Sequence, residues 1–145
     1  MIQVRMATLN DLENLVYIDS EVIGNKEREV ELRESIEENR CFLGQMEGQI
    51  VGFIVYHNHF FGHLFIDLVI VRPKLQRQGI AKTLMEYVEN ICLTNKIFSS
   101  TNKSNEKMQK VFDSLNYVRS GYIDNLDDGD KEIVFFKKIS NYSYE

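Results

Sequence analysis

Proline, tryptophan and cysteine are scarce in this chain, and each shortage excludes something. It has 1 proline and no tryptophan in 145 residues. With no low-complexity stretch either, a Pro-rich linker or an extended disordered chain is excluded. The 2 cysteines, Cys41 and Cys92, lie far apart and form no C-x-x-C. They read as small buried hydrophobes in a reducing compartment, with a nucleophilic or disulfide role as the alternative. A basic excess is also missing. The 22 acidic side chains outnumber the 17 Lys and Arg, for a net charge of -5. That argues against nucleic acid, which needs a basic face, and suits a neutral or cationic partner. No apolar run approaches the length of a membrane span. The first ten residues lack the charged-then-apolar pattern of a signal peptide. The expectation is a cytoplasmic protein with no nucleic acid and no membrane partner.

What the chain does have is 43% hydrophobic residues, enough for a core. The length fits a single domain over 1–140 with a frayed tail at 141–145. Residues 2–5 read as a strand. Thr8 caps a helix whose first turn holds Asp11 and whose apolar stripe is Leu9, Leu12, Leu15 and Val16. A charged surface helix follows over 26–39, with Val30, Leu32 and Ile36 as its few apolar positions. Residues 41–46 and 49–57 pair around the turn dipeptide Glu47-Gly48. Residues 64–71 are apolar except for Asp67, which predicts a central strand covered on both faces. A helix over 79–94 has Ile80, Leu84, Val88 and Ile91 on one side. A strand over 97–101 and a helix over 104–115 come next, the helix turning Met108, Val111, Phe112 and Leu115 inward. Strands at 117–123 and 132–138 close the chain around Asp127-Asp128-Gly129-Asp130. The order β-α-α-β-β-β-α-β-α-β-β gives an α/β class with a mixed sheet. Its 64–101 segment is a βαβ unit with parallel strands.

The segment from Val71 to Ala81 reads V-R-P-K-L-Q-R-Q-G-I-A. Pro73 ends the strand, because it cannot donate to a ladder. The turn into the next helix then contains Gly79 and the small Ala81. A helix start leaves several N–H groups without partners, and its dipole favours an anion. Arg77 and Lys82 add positive charge. An anion-friendly turn follows from this, although neither G-x-G-x-x-G nor G-x-x-x-x-G-K-[ST] is present. A glycine that only eases a turn is the plainer alternative.

Gln76-Arg77-Gln78-Gly79-Ile80-Ala81 matches the Q/R-x-x-G-x-G/A signature of the GNAT superfamily of N-acetyltransferases, and the element order resembles the whole GNAT fold over about residues 2–138. The resemblance implies an acetyl-CoA-dependent N-acetyltransferase. In that reading the backbone N–H groups of Gln76, Arg77, Gln78, Gly79, Ile80, Ala81 and Lys82 hold the pyrophosphate. The pantetheine arm lies along Val69, Ile70 and Val71, where the strands at 64–71 and 97–101 splay, and a backbone N–H steadies the thioester oxygen. Residues 99–117 resemble the family's next strand and helix. There Asn105 holds a coenzyme-contacting place, or caps its helix, or does both. Asn116 replaces the usual Gly. Phe112 stands beside the coenzyme where the family often has a Tyr that protonates the departing thiolate. Tyr117, Tyr122 or water then supplies that proton. Acetyl-CoA is the expected cosubstrate, no metal is expected, and the family's habit allows a monomer or a homodimer.

An alkyl amine with a pKa near 10.4 is mostly protonated at neutral pH, so a base must free it for attack. Asp67 is the first candidate, since burial on an apolar strand would raise its pKa. It shares a face with Val69 and Val71. A structural carboxylate bonded to a loop is the alternative. His57, His59 and His63 come second. Their H-x-H spacing suggests a metal, but a polar hairpin accounts for it better. Asp124, Asp127, Asp128, Asp130 and Glu132 form a third group, either a solvated loop or a draw for a cationic acceptor. The acceptor is a primary amine of a small molecule, peptide or protein. A non-catalytic acyl-CoA-binding module is the competing reading, motivated by Phe112.

Overall fold

The computed structural model describes residues 1–139, so the expected frayed tail lies outside the described residues. The elements are β1 (Gln3–Met6), α1 (Leu12–Ile23), α2 (Glu29–Glu37), β2 (Cys41–Met46), β3 (Gln49–Phe60), β4 (His63–Val71), α3 (Ile80–Ile91), β5 (Lys96–Asn102), α4 (Glu106–Ser114), β6 (Val118–Asp127) and β7 (Asp130–Lys138). Short 3-10 turns at Leu9–Asp11 and Pro73–Leu75 precede α1 and α3. The order is the one read from the sequence. The strands form a seven-stranded sheet in the order β1-β2-β3-β4-β5-β7-β6. The β4–β5 pair is parallel, from Leu64↔Ile97 to Ile66↔Ser99, as a helical crossover between consecutive strands requires.

By its internal contacts the chain divides into two compact units, Met1–Tyr56 with Leu68–Val88, and His57–Asp67 with the rest from Glu89. In the first unit, α1 and α2 cover the sheet face that carries Cys41, Leu43, Phe53 and Val55, through Leu15, Ile18, Leu32 and Ile36. Two of the three apolar residues of α2 are therefore core, and only Val30 stays exposed. Thr8 opens the 3-10 turn as expected. Its N–H and hydroxyl donate to the Asp11 carboxylate, which also takes two bonds of 2.9 Å from Arg5. These bonds hold the Asp11 carboxyl below its usual range, the Arg5 hydrogen bonds weighing most. Burial pushes the Cys41 thiol up to about 12, which makes it a packing residue and a poor nucleophile.

The strand covered on both faces is β3, where Ile50 through Val55 are all buried. On β4 only Leu64, Ile66 and Ile70 are buried, and Phe65, Asp67 and Val69 are not. The apolar run of β4 thus misled the burial expectation: its second face is apolar without being closed. On α3 the buried apolar side chains are Ile80, Leu84, Met85 and Val88, with Cys92 just past its end. Ile91, the last residue of the helix, stands at the edge of the arc that Leu84, Met85, Val88 and Cys92 occupy at about 100° per residue, and is 37% exposed.

Gly52, inside the buried run of β3, marks a close approach. A Cβ there would lie 2.6 Å from the Ile70 carbonyl oxygen and 3.3 Å from the Val71 Cα. Neither backbone atom can swing away as a side-chain tip could. Gly52→Ala is therefore expected to lower unfolding free energy by about 1–3 kcal/mol, the usual cost of overpacking. Urea denaturation measures it, and an unchanged midpoint would mean that β4 yields freely.

Candidate acetyl-transfer site

In the first unit, β4 ends at Val71 and its exit is pinned to β3. The Arg72 N–H donates to the Val51 carbonyl at 3.0 Å, and Arg72 Nε to the Ile50 carbonyl at 2.9 Å. Pro73 starts the 3-10 turn, and the Leu75 N–H closes it on the Arg72 carbonyl at 2.9 Å. The chain then takes positive φ at Arg77 (69°) and at Gly79 (80°), on either side of Gln78. Alternation of this kind turns successive N–H groups toward one side, the arrangement of an anion-binding nest. α3 begins at once. The Gly79 carbonyl accepts the Thr83 N–H at 3.0 Å and the Thr83 hydroxyl at 2.9 Å.

No acidic residue stands in the first turn of α3, so nothing there competes for the dipole's positive end. Gln76, Arg77, Gln78, Gly79 and Lys82 are exposed, Ala81 is half-buried, and Ile80 anchors the turn in the core. A Cβ on Gly79 would meet nothing within 4 Å. The glycine is thus required by its backbone angle, and the space before it is open, as an anion resting on these amides needs. These residues fit a pyrophosphate. Val69 and Val71 are half-buried and Ile70 is buried.

In the second unit, β4 and β5 pair over three residues, and the Ser99 hydroxyl donates to the Ile66 carbonyl at 2.8 Å. Asp67 follows. The expectation that it is buried is overturned: its side chain is 33% exposed, and its Oδ1 lies 3.5 Å from His57 Nε2. It stands on the uncovered face of β4, which explains the error. The His57 Nδ1 accepts the His59 N–H at 3.0 Å. In the neutral ring this leaves Nε2 as the N–H, directed at Asp67. The polar hairpin expected at the histidines also changes character. β3 runs through to Phe60, the turn is Phe61-Gly62, and His57 and His63 pack against Phe65 and Phe98. Among the described residues no three of His, Cys, Asp and Glu are grouped to hold a metal ion.

Asn105 caps α4, its Oδ1 accepting the Met108 N–H at 3.1 Å, and its side chain is exposed. Asn116 takes φ 69°, the left-handed geometry for which Asn substitutes for Gly. Phe112 has no exposed surface and stacks on Phe135 at 4.3 Å and against Tyr117 at 5.3 Å. Tyr117 is 3% exposed. Its hydroxyl donates to Glu89 Oε2 at 2.9 Å, and Lys137 holds Oε1 of the same carboxylate at 2.8 Å. Burial first, then the Glu89 charge, push the Tyr117 phenol well above its ordinary value. Tyr122 is 56% exposed, with the Lys131 ammonium 4.1 Å above its ring. Asp124, Asp127, Asp128 and Asp130 line an open pocket with Gly129 and Lys131. Glu132 lies apart from that loop, its Oε2 accepting the Ser100 hydroxyl at 2.7 Å.

Gly52 carried no expectation from the sequence, and His57 stood there with His59 and His63 as a second-choice base or part of a polar hairpin. The one trace of Gly52 was a glycine amid Ile, Val and Phe, a pattern that marks close backbone approach.

Residues 8–117 match the family model described as Acetyltransferase (GNAT) family. No curated protein matches the chain. Among solved structures, a GNAT-family acetyltransferase from Bacillus cereus ATCC 10987 is 45% identical with a TM-score of 0.91, covering 95% of this chain and 97% of that one. The ribosomal-protein-S18-alanine N-acetyltransferase from Escherichia coli shares the fold at 18% identity and a TM-score of 0.82, over 99% and 100% of the two chains. The yncA protein from Salmonella typhimurium, solved with its cofactor acetyl-CoA, shares it at 11% and 0.78, over 100% and 98%. The chain belongs to the GNAT acetyltransferase family and is an acetyltransferase that takes its acetyl group from acetyl-CoA.

Proposed function

We propose that this enzyme acetylates a primary amine, of a small molecule or of a peptide or protein, by direct attack, with Asp67 as the general base and residues 1–140 working as one N-acetyltransferase domain. The observation that carries the proposal is the Asp67 carboxylate, a half-open acid on an otherwise apolar strand, with His57 Nε2 3.5 Å away. A general base has to be reachable by the acceptor, and burial would have denied it that access. A carboxylate also attracts the ammonium form in which the acceptor arrives.

Acetyl-CoA supplies an acyl carbon already activated as a thioester. The chain's part is to hold and orient it. The amides from Gln76 to Lys82 are assigned to the pyrophosphate, with Arg77 and Lys82 adding charge. The backbone of Val69, Ile70 and Val71 is assigned to the pantetheine arm. Asn105 keeps a coenzyme-contacting role beside its capping bond, and Phe112 supports that helix from the core without touching the coenzyme. Tyr122 stands exposed to hand a proton to a departing thiolate. Tyr117 would do so only by giving up its bond to Glu89, from a phenol that burial has made less acidic. With an ordinary thiol pKa of about 8.5, thiolate needs little help, and water serves as well.

Both cysteines are buried and unpaired, which fits a cytoplasmic setting. Among the described residues no helix is long and apolar enough to cross a membrane. Thiol release tests the reading. Release of free coenzyme A from acetyl-CoA should rise with the concentration of an amine, and the acetylated amine should appear in equal amount by mass spectrometry. Release that ignores every amine in a broad panel would overturn it.

A further inference from the structure

Among the described residues the second unit leaves one face of its sheet uncovered, and that face is patterned. Phe65 of β4 pairs with Phe98 of β5, and Phe98 pairs with Phe136 of β7. Direct cross-strand partners share a face, so the three rings form a row. Phe98 lies 5.4 Å from Phe136, and Phe60 extends the row at 4.7 Å from Phe65 and 5.1 Å from Phe98. All four rings are half-buried and keep some exposure, whereas Ile66, Ile97, Ser99 and Phe135 on the other face are buried. A contiguous apolar row of this kind marks a binding surface.

The two sides of the row, along the strand direction, differ in charge. Strand alternation puts Asp67 on the face of Phe65, and Ser100 with Glu132 on the face of Phe98 and Phe136. The Ser100 hydroxyl holds Glu132 at 2.7 Å. His57 joins the rings to the acid, stacked 5.6 Å from Phe65 and 3.5 Å from Asp67. On the opposite side of the row Lys96 and Lys138 are direct partners on the same face by the same alternation. They stand about 13 Å from the level of Ser100, at roughly 3.3 Å per strand residue.

We propose that the acceptor is a primary monoamine with an aromatic or extended apolar body. Its amino group meets Asp67, its body lies on the phenylalanine row, and Lys96 and Lys138 reject a second cation. The inference rests on the role of Asp67 proposed above. The Asp67 carboxylate attracts the ammonium, and apolar area with ring–ring contact favours the body. A diamine or a basic peptide would set its second charge against the lysines. In the reaction the amine nitrogen forms a bond to the acyl carbon and the carbon–sulfur bond breaks. The arriving ammonium gives one proton to Asp67, the nitrogen loses its second to solvent as the amide forms, and the thiolate is protonated from solvent.

Steady-state kinetics with 2-phenylethylamine, ethylamine and 1,4-diaminobutane test this. Wild type should prefer phenylethylamine. Phe98→Leu and Phe136→Leu, which keep the face apolar, should raise the phenylethylamine KM roughly three- to tenfold through the lost ring–ring interaction. The KM values for ethylamine and acetyl-CoA should hold. Lys96→Glu with Lys138→Glu, both exposed, should raise the diaminobutane-to-phenylethylamine ratio of kcat/KM roughly tenfold, since attraction replaces repulsion. A wild-type preference for diaminobutane, or an unmoved phenylethylamine KM in both Leu variants, would overturn the proposal. So would Leu variants that change only the sedimentation coefficient, since the row would then join two copies of this chain. The base reading fails separately, through an Asp67→Asn variant that keeps its kcat while the ring variants still shift KM.

Discussion

Asp67→Asn is expected to lower kcat by about 10²- to 10⁴-fold at neutral pH, the usual contribution of a positioned general base. The substitution keeps size and polarity, and its amide oxygen can still accept from His57 Nε2. It removes the negative charge and with it the capacity to take a proton, while the KM for acetyl-CoA, which this carboxylate is not assigned to hold, should stay within about twofold. Two further readouts separate chemistry from damage. Raising the pH toward the amine's own pKa of roughly 10 should recover part of the lost rate, because solvent then does the deprotonation. A weakly basic acceptor, unprotonated at pH 7, should show a smaller loss than an alkyl amine. A variant with wild-type kcat toward an alkyl amine at pH 7 would remove Asp67 from the chemistry.

Gly79→Ala should act on the other substrate. The added methyl finds open space, with nothing within 4 Å, so collision is not the cost. The cost is the backbone angle of 80°, where an L-residue with a Cβ loses roughly 1–2 kcal/mol. The turn escapes by rotating toward negative φ, which swings its amides away from their common direction. The KM for acetyl-CoA should rise roughly five- to thirtyfold, the equivalent of that energy, with kcat at saturation held. Gly79→Asn is the control, because Asn tolerates the left-handed region; it should lie between wild type and alanine. If alanine and asparagine both behave as wild type in coenzyme titrations, the turn does not grip the pyrophosphate.

The two sites were legible to different degrees. The turn at Gln76–Gly79 was readable because its chemistry is local: one chain segment supplies the strand end, the positive-φ residues and the helix start. Asp67 was readable as an interruption, a single carboxylate in seven apolar neighbours, but its environment was misjudged. An apolar run signals a strand without telling which faces are closed. On β4 one face is closed and the other is open, and Asp67 stands on the open one. Tyr117 and Tyr122 looked equivalent in the sequence. Pairing of β6 with β7, and the place of Glu89 on α3, bury the first against a carboxylate and leave the second in solvent.

The phenylalanine row shows the same limit. Phe60, Phe65, Phe98 and Phe136 sit on four strands, with α3 and α4 between some of them in the chain. No window of sequence contains the surface they make. Gly52 is similar, since its need for a missing side chain comes from the Ile70 carbonyl on another strand.

The sequence by itself determined what depends on near neighbours: the order of elements, the left-handed turn before α3, the cap at Thr8 and the family these add up to. Hydrophobic period, φ preference and hydrogen-bonding reach all act within a few residues, so they can be read in one dimension. Only the tertiary structure decided which carboxylate is accessible, which tyrosine is locked away and which rings share a face. Those are outcomes of register and burial between segments far apart in the chain, and pairing a residue one place along its neighbour would reverse each of them.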